Sequence, residues 1–204
     1  MRQHSIVFQR YLTVIYFILI FTLPGSASAE KPLETVKGYA DKVLDVLRDP
    51  ALKGESSKKV RKEKIREISK KMFDFNELSK RTLSNHWRKL NPEQQQEFVR
   101  LYTSLLEDAY ADKILSYTNE KITFSREIML SDRIAEVQSI VQRRTAEIPI
   151  YYRVMLKDGA WRVYDVVIEG VSLINNYRSQ FREILLKDTP EALLQTLRKK
   201  VGKT

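Results

Sequence analysis

Apolar residues recur at helical spacing through the first half of the chain and at strand spacing through its middle. Leu33, Val36, Ala40, Val43, Leu44 and Leu47 mark an amphipathic helix, with Pro50 just beyond it. Gly54-Glu55-Ser56 breaks the pattern. Ser57 to Met72 is lysine-rich, and its apolar stripe is thin: Val60, Ile65, Ile68 and Met72. Asp74 and Glu77 have capping-box spacing for a short helix through Leu78. Asn91 is a good N-cap and Pro92 suits the first helical position. A long helix follows, with Phe98, Leu101, Tyr102, Leu105, Leu106, Ala109, Tyr110 and Ile114 on its apolar positions.

After Thr118-Asn119 the period becomes two. Ile122, Phe124 and Ile128 alternate with polar residues. Ala135, Val137, Ser139 and Val141 share one face of a second strand. Glu147 to Leu156 and Ala160 to Ile168 read as two more, joined at Asp158-Gly159, the strongest hairpin signal in the chain. Gly170 is expected to end the sheet. Ser172 caps a helix carrying Ile174, Tyr177, Phe181, Ile184 and Leu185, and Thr189-Pro190 opens a last one with Leu193, Leu194 and Leu197. Helices, then a meander of about four strands, then helices predict an α+β fold: a curved antiparallel sheet with one face covered by helices, as in cystatin-like and NTF2-like architectures.

A two-residue turn sets a register that pairs Lys157 with Ala160. Continued without interruption, it sets Leu156 against Trp161, Val154 against Val163, Tyr152 against Asp165 and Ile150 against Val167. Alternation puts those eight on one face and Val166, Arg153 and Tyr164 on the other. The face with Arg153 is the wetter one, so the first is the expected inner face. Asp165 is its anomaly and needs a donor, which Tyr152 or a helix amide could supply.

Charge and the N-terminus change the picture next. Arg2 and Arg10, an uncharged run from Tyr11 to Leu23, the Pro24-Gly25 break and Ala27-Ser28-Ala29 together read as a secretory leader over residues 1–29. The apolar run is short of the ~20 residues that span a bilayer. One mature domain is expected over residues 30–204. The chain has 36 Lys+Arg against 26 Asp+Glu, a net +10, and loss of the two leader arginines leaves +8. An exported basic protein is expected to meet anionic lipid headgroups or acidic proteins rather than nucleic acid. Lys58, Lys59, Arg61, Lys62, Lys64, Arg66, Lys70 and Lys71 crowd one helix; such a run is commonly a solvated face, and its functional reading is docking to an anionic surface. Arg143 and Arg144 end a strand, where they protect an edge or reach a phosphodiester.

The chemistry available is narrow. The sequence holds no cysteine, so thiol, disulfide and cysteine-metal sites are excluded. His86 is the one histidine after the leader, too few for a His-rich metal site. The six glycines are too scattered for a phosphate-binding loop. A serine triad through His86 has no GxSxG elbow to support it. No cofactor is expected.

The stretch from Gly159 through Trp161-Arg162-Val163-Tyr164-Asp165-Val166-Val167-Ile168-Glu169-Gly170-Val171-Ser172 to Phe181 resembles the signature of the MlaC, or toluene-tolerance, family. Phe73-Asp74-Phe75 and Trp87-Arg88-Lys89-Leu90-Asn91-Pro92 agree with it. Ser84 stands where that family often has glycine. The resemblance implies a soluble, monomeric periplasmic carrier of diacyl phospholipid in Gram-negative bacteria, with no catalytic residues. It implies exchange with an outer-membrane lipoprotein–porin complex and an inner-membrane ABC transporter bearing an MCE-domain subunit, and a role in outer-membrane lipid asymmetry. A related branch implies a hopanoid-type cargo instead.

Two acyl chains represent on the order of 25 kcal/mol of hydrocarbon to shield from water, so a carrier needs a deep pocket. Under the resemblance its wall is expected from Phe98, Leu101, Tyr102 and Leu105 on the long helix. The strands would add Ala135, Val137, Ser139, Val141, Ile150, Tyr152, Val154, Trp161, Val163 and Val167. Small Ala135 and Ser139 would leave room for cargo; the alternative is that they pack directly under a helix. A reading from another class is an NTF2-like isomerase or dehydratase with Asp165 and Tyr152 as its acid–base pair.

Overall fold

The computed structural model describes residues 30–117, 119–144 and 146–202; the leader expected over residues 1–29 lies outside them. Helices α1 (Pro32–Arg48), α2 (Lys58–Met72), α3 (Phe75–Leu83) and α4 (Pro92–Leu115) come first. Strands β1 (Lys121–Ser131), β2 (Ile134–Gln142), β3 (Glu147–Lys157), β4 (Ala160–Ile168) and β5 (Val171–Ser172) follow, then α5 (Leu173–Leu185) and α6 (Pro190–Val201). The fold is α+β, with an open antiparallel sheet in the order β1-β2-β3-β4-β5.

Caps explain the helix starts. Asn91 and Gln94 form a reciprocal capping box at α4, and Ser172 Oγ accepts from the Asn175 amide at α5. At α3 only half of the expected box forms. Asp74 accepts from the Glu77 amide, but Glu77's carboxylate turns to Arg81 Nε at 2.7 Å. The other oxygen of buried Asp74 takes Lys157 Nζ at 2.6 Å, while its backbone amide donates to Val163 O. One residue thus ties the start of α3 to β4 and to the β3–β4 turn. Phe73-Asp74 and the unforeseen two-residue β5 together cover parts of β4's outer edge.

Asp158 and Gly159 both have positive φ, as a tight primed turn needs. The pairs Lys157–Ala160, Leu156–Trp161 and Val154–Val163 follow the expected register, which then shifts. Tyr164 is an extra residue, so Arg153 faces Asp165, Tyr152 faces Val166 and Ile150 faces Ile168. The expected Tyr152–Asp165 and Ile150–Val167 pairs are therefore corrected: a bulge, which turn geometry alone does not announce, exchanges the faces of every later β4 residue.

Two cores result. One joins α3, α4, α5 and α6 around Phe98, Leu101, Tyr102, Phe181, Leu193 and Leu194, with Tyr164 of the sheet against it. The other lies on the opposite side of the sheet, where Val36 of α1 and Met72 of α2 meet Ala135, Val137, Val154, Trp161, Val163 and Val166. Among the described residues no helix is long and apolar enough to cross a membrane.

Candidate functional site

The register divides the inner face into cross-strand rows. Ala135, Val154 and Val163 form one row, Val137, Tyr152 and Val166 the next, then Ser139, Ile150 and Ile168, and finally Val141 with Ile148. The first row is filled by the second core. Towards the last row α1 and α2 stand away from the sheet, and the space between is a cavity of about 820 Å³. That is near the upper end of the roughly 300–1,000 Å³ usual for ligand pockets.

Its walls are mainly apolar. Val43, Leu44 and Leu47 come from α1, and Ile65, Ile68 and Met72 from α2. Leu106, Tyr110, Ala111 and Ile114 come from the later turns of α4, and Ile122, Val141, Ile148, Ile150, Tyr152, Val166 and Ile168 from the sheet. Val43, Leu47, Ile68, Ile148 and Ile150 remain only half-buried. A solid core would have covered them; here they face empty volume.

The rim is charged. Lys62 Nζ donates to Asp108 Oδ1 at 2.7 Å, and Arg66 Nε donates to Glu107 Oε2 at 2.8 Å, so two ion pairs clasp α2 to α4 at the cavity wall. Burial pushes the Glu107 carboxyl above its ordinary range, with Arg66 opposing. Its Oε1 is buried and has no hydrogen-bond partner. Arg143 also lines the cavity and pairs with Glu120 at 3.6 Å; Arg144 is exposed. Desolvation raises the Tyr152 and Tyr110 hydroxyls, which stay neutral phenols; at Tyr152 a hydrogen bond with Ser139 opposes the rise.

Of the expected wall residues, Val141, Ile150 and Tyr152 line this cavity. Phe98, Leu101, Tyr102 and Leu105 instead face α5 and α6, where Phe98 and Tyr102 pack edge-on against Phe181 at 5.5 and 5.2 Å. Helix α4 turns its earlier apolar positions to one core and its later ones to the cavity. Ala135, Val137, Val154, Trp161 and Val163 are in the packed core with Val36, so the small side chain of Ala135 makes room for a helix rather than for cargo. Ser139 is fully buried, donating to Ile150 O at 3.0 Å. Val167 is across the strand from Tyr151, on the other face from Val166. The α1 and α2 wall lies outside the expected set, although the apolar stripe on so heavily charged a helix as α2 is its visible signal.

The acid–base pair of the enzyme reading is not assembled. Tyr152 faces the cavity, and Asp165 points from the opposite face. There Asp165 Oδ2 accepts from Arg153 Nη1 at 3.2 Å and Ser172 Oγ at 2.7 Å, and Oδ1 from the Ile174 amide at 3.1 Å. It anchors the start of α5. His86 lies in the short 3₁₀ helix Ser84–Lys89 and is not on the cavity wall. Among the described residues no cluster of His, Asp and Glu could hold a metal ion.

An open sheet whose apolar face and covering helices enclose a largely apolar cavity has the architecture of a ligand-binding protein. The family model described as MlaC protein matches residues 37–199, and the chain belongs to the MlaC family. It is 25% identical over 199 residues to the intermembrane phospholipid transport system binding protein MlaC of Haemophilus influenzae, covering 94% of this chain and 93% of that one. It is 23% identical over 165 residues to the toluene tolerance protein ttg2D of Pseudomonas putida, covering 80% and 77%. A solved phospholipid-binding protein from Ralstonia solanacearum, in complex with a phospholipid, superposes with a TM-score of 0.75 at 25% identity. That match covers 85% of this chain and 98% of the other.

Proposed function

We propose that the protein is a monomeric periplasmic carrier of diacyl phospholipid, with its acyl chains in the cavity between the sheet, α1, α2 and α4. The apolar cavity of about 820 Å³ carries this reading. The phospholipid named for the Ralstonia relative and the transport system named for the Haemophilus one support it. Lipid is cargo, and no cofactor or catalytic step is part of the proposal. Acyl chains supply most of the buried area, about 0.8 kcal/mol per methylene, so headgroup selectivity should be weak.

In this reading the leader directs export and is cleaved after Ala29. The carrier then exchanges lipid between an outer-membrane lipoprotein–porin complex and an inner-membrane ABC transporter with an MCE-domain subunit. Native mass spectrometry of the full-length gene product, gently purified from a lipid-replete periplasm, should show a chain beginning at Glu30 with about one phospholipid. Only lipid-free protein would sink the carrier reading.

A further inference from the structure

Helices α1 and α2 form a hairpin over the sheet, and its two ends are held differently. At the root, Val36 of α1 and Met72 of α2 are buried in the packed core, and the Leu33 amide donates to Glu127 of β1 at 2.8 Å. Asp74, just past α2, ties the same end to β4 and to Lys157. Away from the root the packing thins. Leu44 and Ile65 are buried but belong to neither core, and among the described residues 45–64 none is buried. Polar ties fasten that end to α4. Arg48 Nη2 donates to Tyr117 Oη, just past α4, at 2.6 Å. Lys58 pairs with Asp112 at 3.3 Å, Lys62 with Asp108 at 2.7 Å and Arg66 with Glu107 at 2.8 Å. Lys58, Lys62 and Arg66 are spaced four residues apart, so they form one stripe of α2, turned to α4. Lys62, Arg66 and Glu107 also line the cavity, so this seam is part of its wall.

We propose that the α1–α2 hairpin is a flap whose polar seam with α4 parts to admit acyl chains, while its root stays in the core. Separating an apolar core exposes hydrocarbon to water, whereas a surface ion pair that opens exchanges its partner for water at little net cost. The seam is therefore where the cavity wall parts most readily. The backbone permits the movement. Lys31 before α1 and Phe73 after α2 are extended residues at element ends, the positions that usually absorb hinge rotations. Opening would uncover Val43, Leu47 and Ile68 of the hairpin beside Tyr110 and Ile114 of α4, an apolar path into the cavity. The purpose of the movement rests on the carrier reading, but the movement can be measured without it.

The sequence has no cysteine, so introduced thiols can be addressed alone. In Lys58→Cys/Asp112→Cys, a reducible bis-methanethiosulfonate linker pins the flap across the seam at two residues that do not line the cavity. In the control, Glu97→Cys/Arg198→Cys, the same linker replaces an ion pair between α4 and α6. Uptake of pyrene-labelled phosphatidylcholine from vesicles is followed for each variant, linked and then reduced, and thermal unfolding confirms that each is folded. The pinned flap should lose uptake and regain it on reduction, while the control takes up lipid at one rate in both states. Equal uptake by the linked and reduced flap variant would overturn the proposal, as would an equal loss in the linked control. A second measurement needs no lipid. Spin labels on Lys59→Cys/Ala109→Cys, both exposed and outside the four ties, should give two separations by pulsed electron resonance, one closed and one open. A single separation would overturn the flap. Two separations in a protein that takes up no lipid in any form would instead sink the carrier reading and leave the flap standing.

Discussion

Arg153 Nη1 lies 3.2 Å from Asp165 Oδ2, across a bulge that sets two β4 residues against one residue of β3. The bulge moves Asp165 out of the apolar face and puts Val166 there in its place. Asp165 also holds Ser172 and the Ile174 amide, so its loss orphans two donors at the start of α5 and one, Arg153 Nη1, on β3. Asp165→Ala should destabilise the fold by about 2–3 kcal/mol, the usual range for an orphaned buried group, discounted for the partial exposure of Arg153. A fall in melting temperature of about 5–10 °C is expected. An unchanged melting temperature would deny the carboxylate this anchoring role.

Bulky substitutions separate the filled end of the inner face from the open end. Val166→Trp points into the cavity and should displace lipid while the protein stays folded. Val163→Trp, one row away in the packed core, should destabilise by about 1–3 kcal/mol through overpacking. Lipid content and thermal unfolding, measured together, check the pair. Lipid retained at one equivalent in a folded Val166→Trp variant would move the cargo site elsewhere.

Ser84 has φ 51° and ψ −123°, a conformation that glycine adopts without strain. Serine here keeps the backbone of a glycine turn. Ser84→Gly should stabilise by about 1 kcal/mol, since release of strain outweighs the added freedom of the unfolded chain. The melting temperature should rise by about 2–4 °C. A decrease on differential scanning calorimetry would count against strain at this residue.

Asp74 predicts an acid-sensitive tie. Burial works against its charge, but the Lys157 ammonium and the Glu77 amide together hold its carboxyl below the ordinary 3.8. A depressed carboxyl stabilises the fold fully above its unfolded value, and that contribution is lost as pH falls through the folded one. Urea unfolding between pH 5 and pH 2 should show wild type losing more stability than Asp74→Asn, which is weaker at pH 5 but flatter. Parallel pH profiles would exclude this contribution.

Glu107 has the opposite sign. Its raised carboxyl destabilises the folded state once ionised, a penalty absent below the unfolded value near 4.5 and complete above the folded one. Glu107→Gln should therefore lose the part of the pH dependence that favours the fold on acidification just above pH 4.5. A pH profile unchanged by this substitution would show that Glu107 is not desolvated at the clasp.

Local patterns of the chain were legible where one element determines them. Asn91-Pro92 marked the start of α4, Asp158-Gly159 its hairpin, and Ala160 to Ile168 a strand. The family was legible from the Trp161 to Phe181 stretch. What escaped depends on relations between elements. The Tyr164 bulge adds one residue to a strand whose hydrophobicity continues on both sides, so periodicity gives no warning. The apolar stripe of α4 is one run in sequence yet serves two compartments, packed at Phe98 and Tyr102 and open at Tyr110 and Ile114. Small Ala135 admits a helix or a ligand equally well, and only the position of Val36 decides between them.

The cavity beside the packed part of the inner face makes stability a shared property. Ile68, Ile148 and Ile150 remain half-buried beside the cavity, and a hydrocarbon guest would complete their packing. A ligand that binds only the folded state raises stability by mass action. Loaded and unloaded molecules would then differ in how often they open, and hence in how fast a protease removes them. The same cavity that makes room for cargo would let a cell's quality control distinguish a working molecule from an idle one.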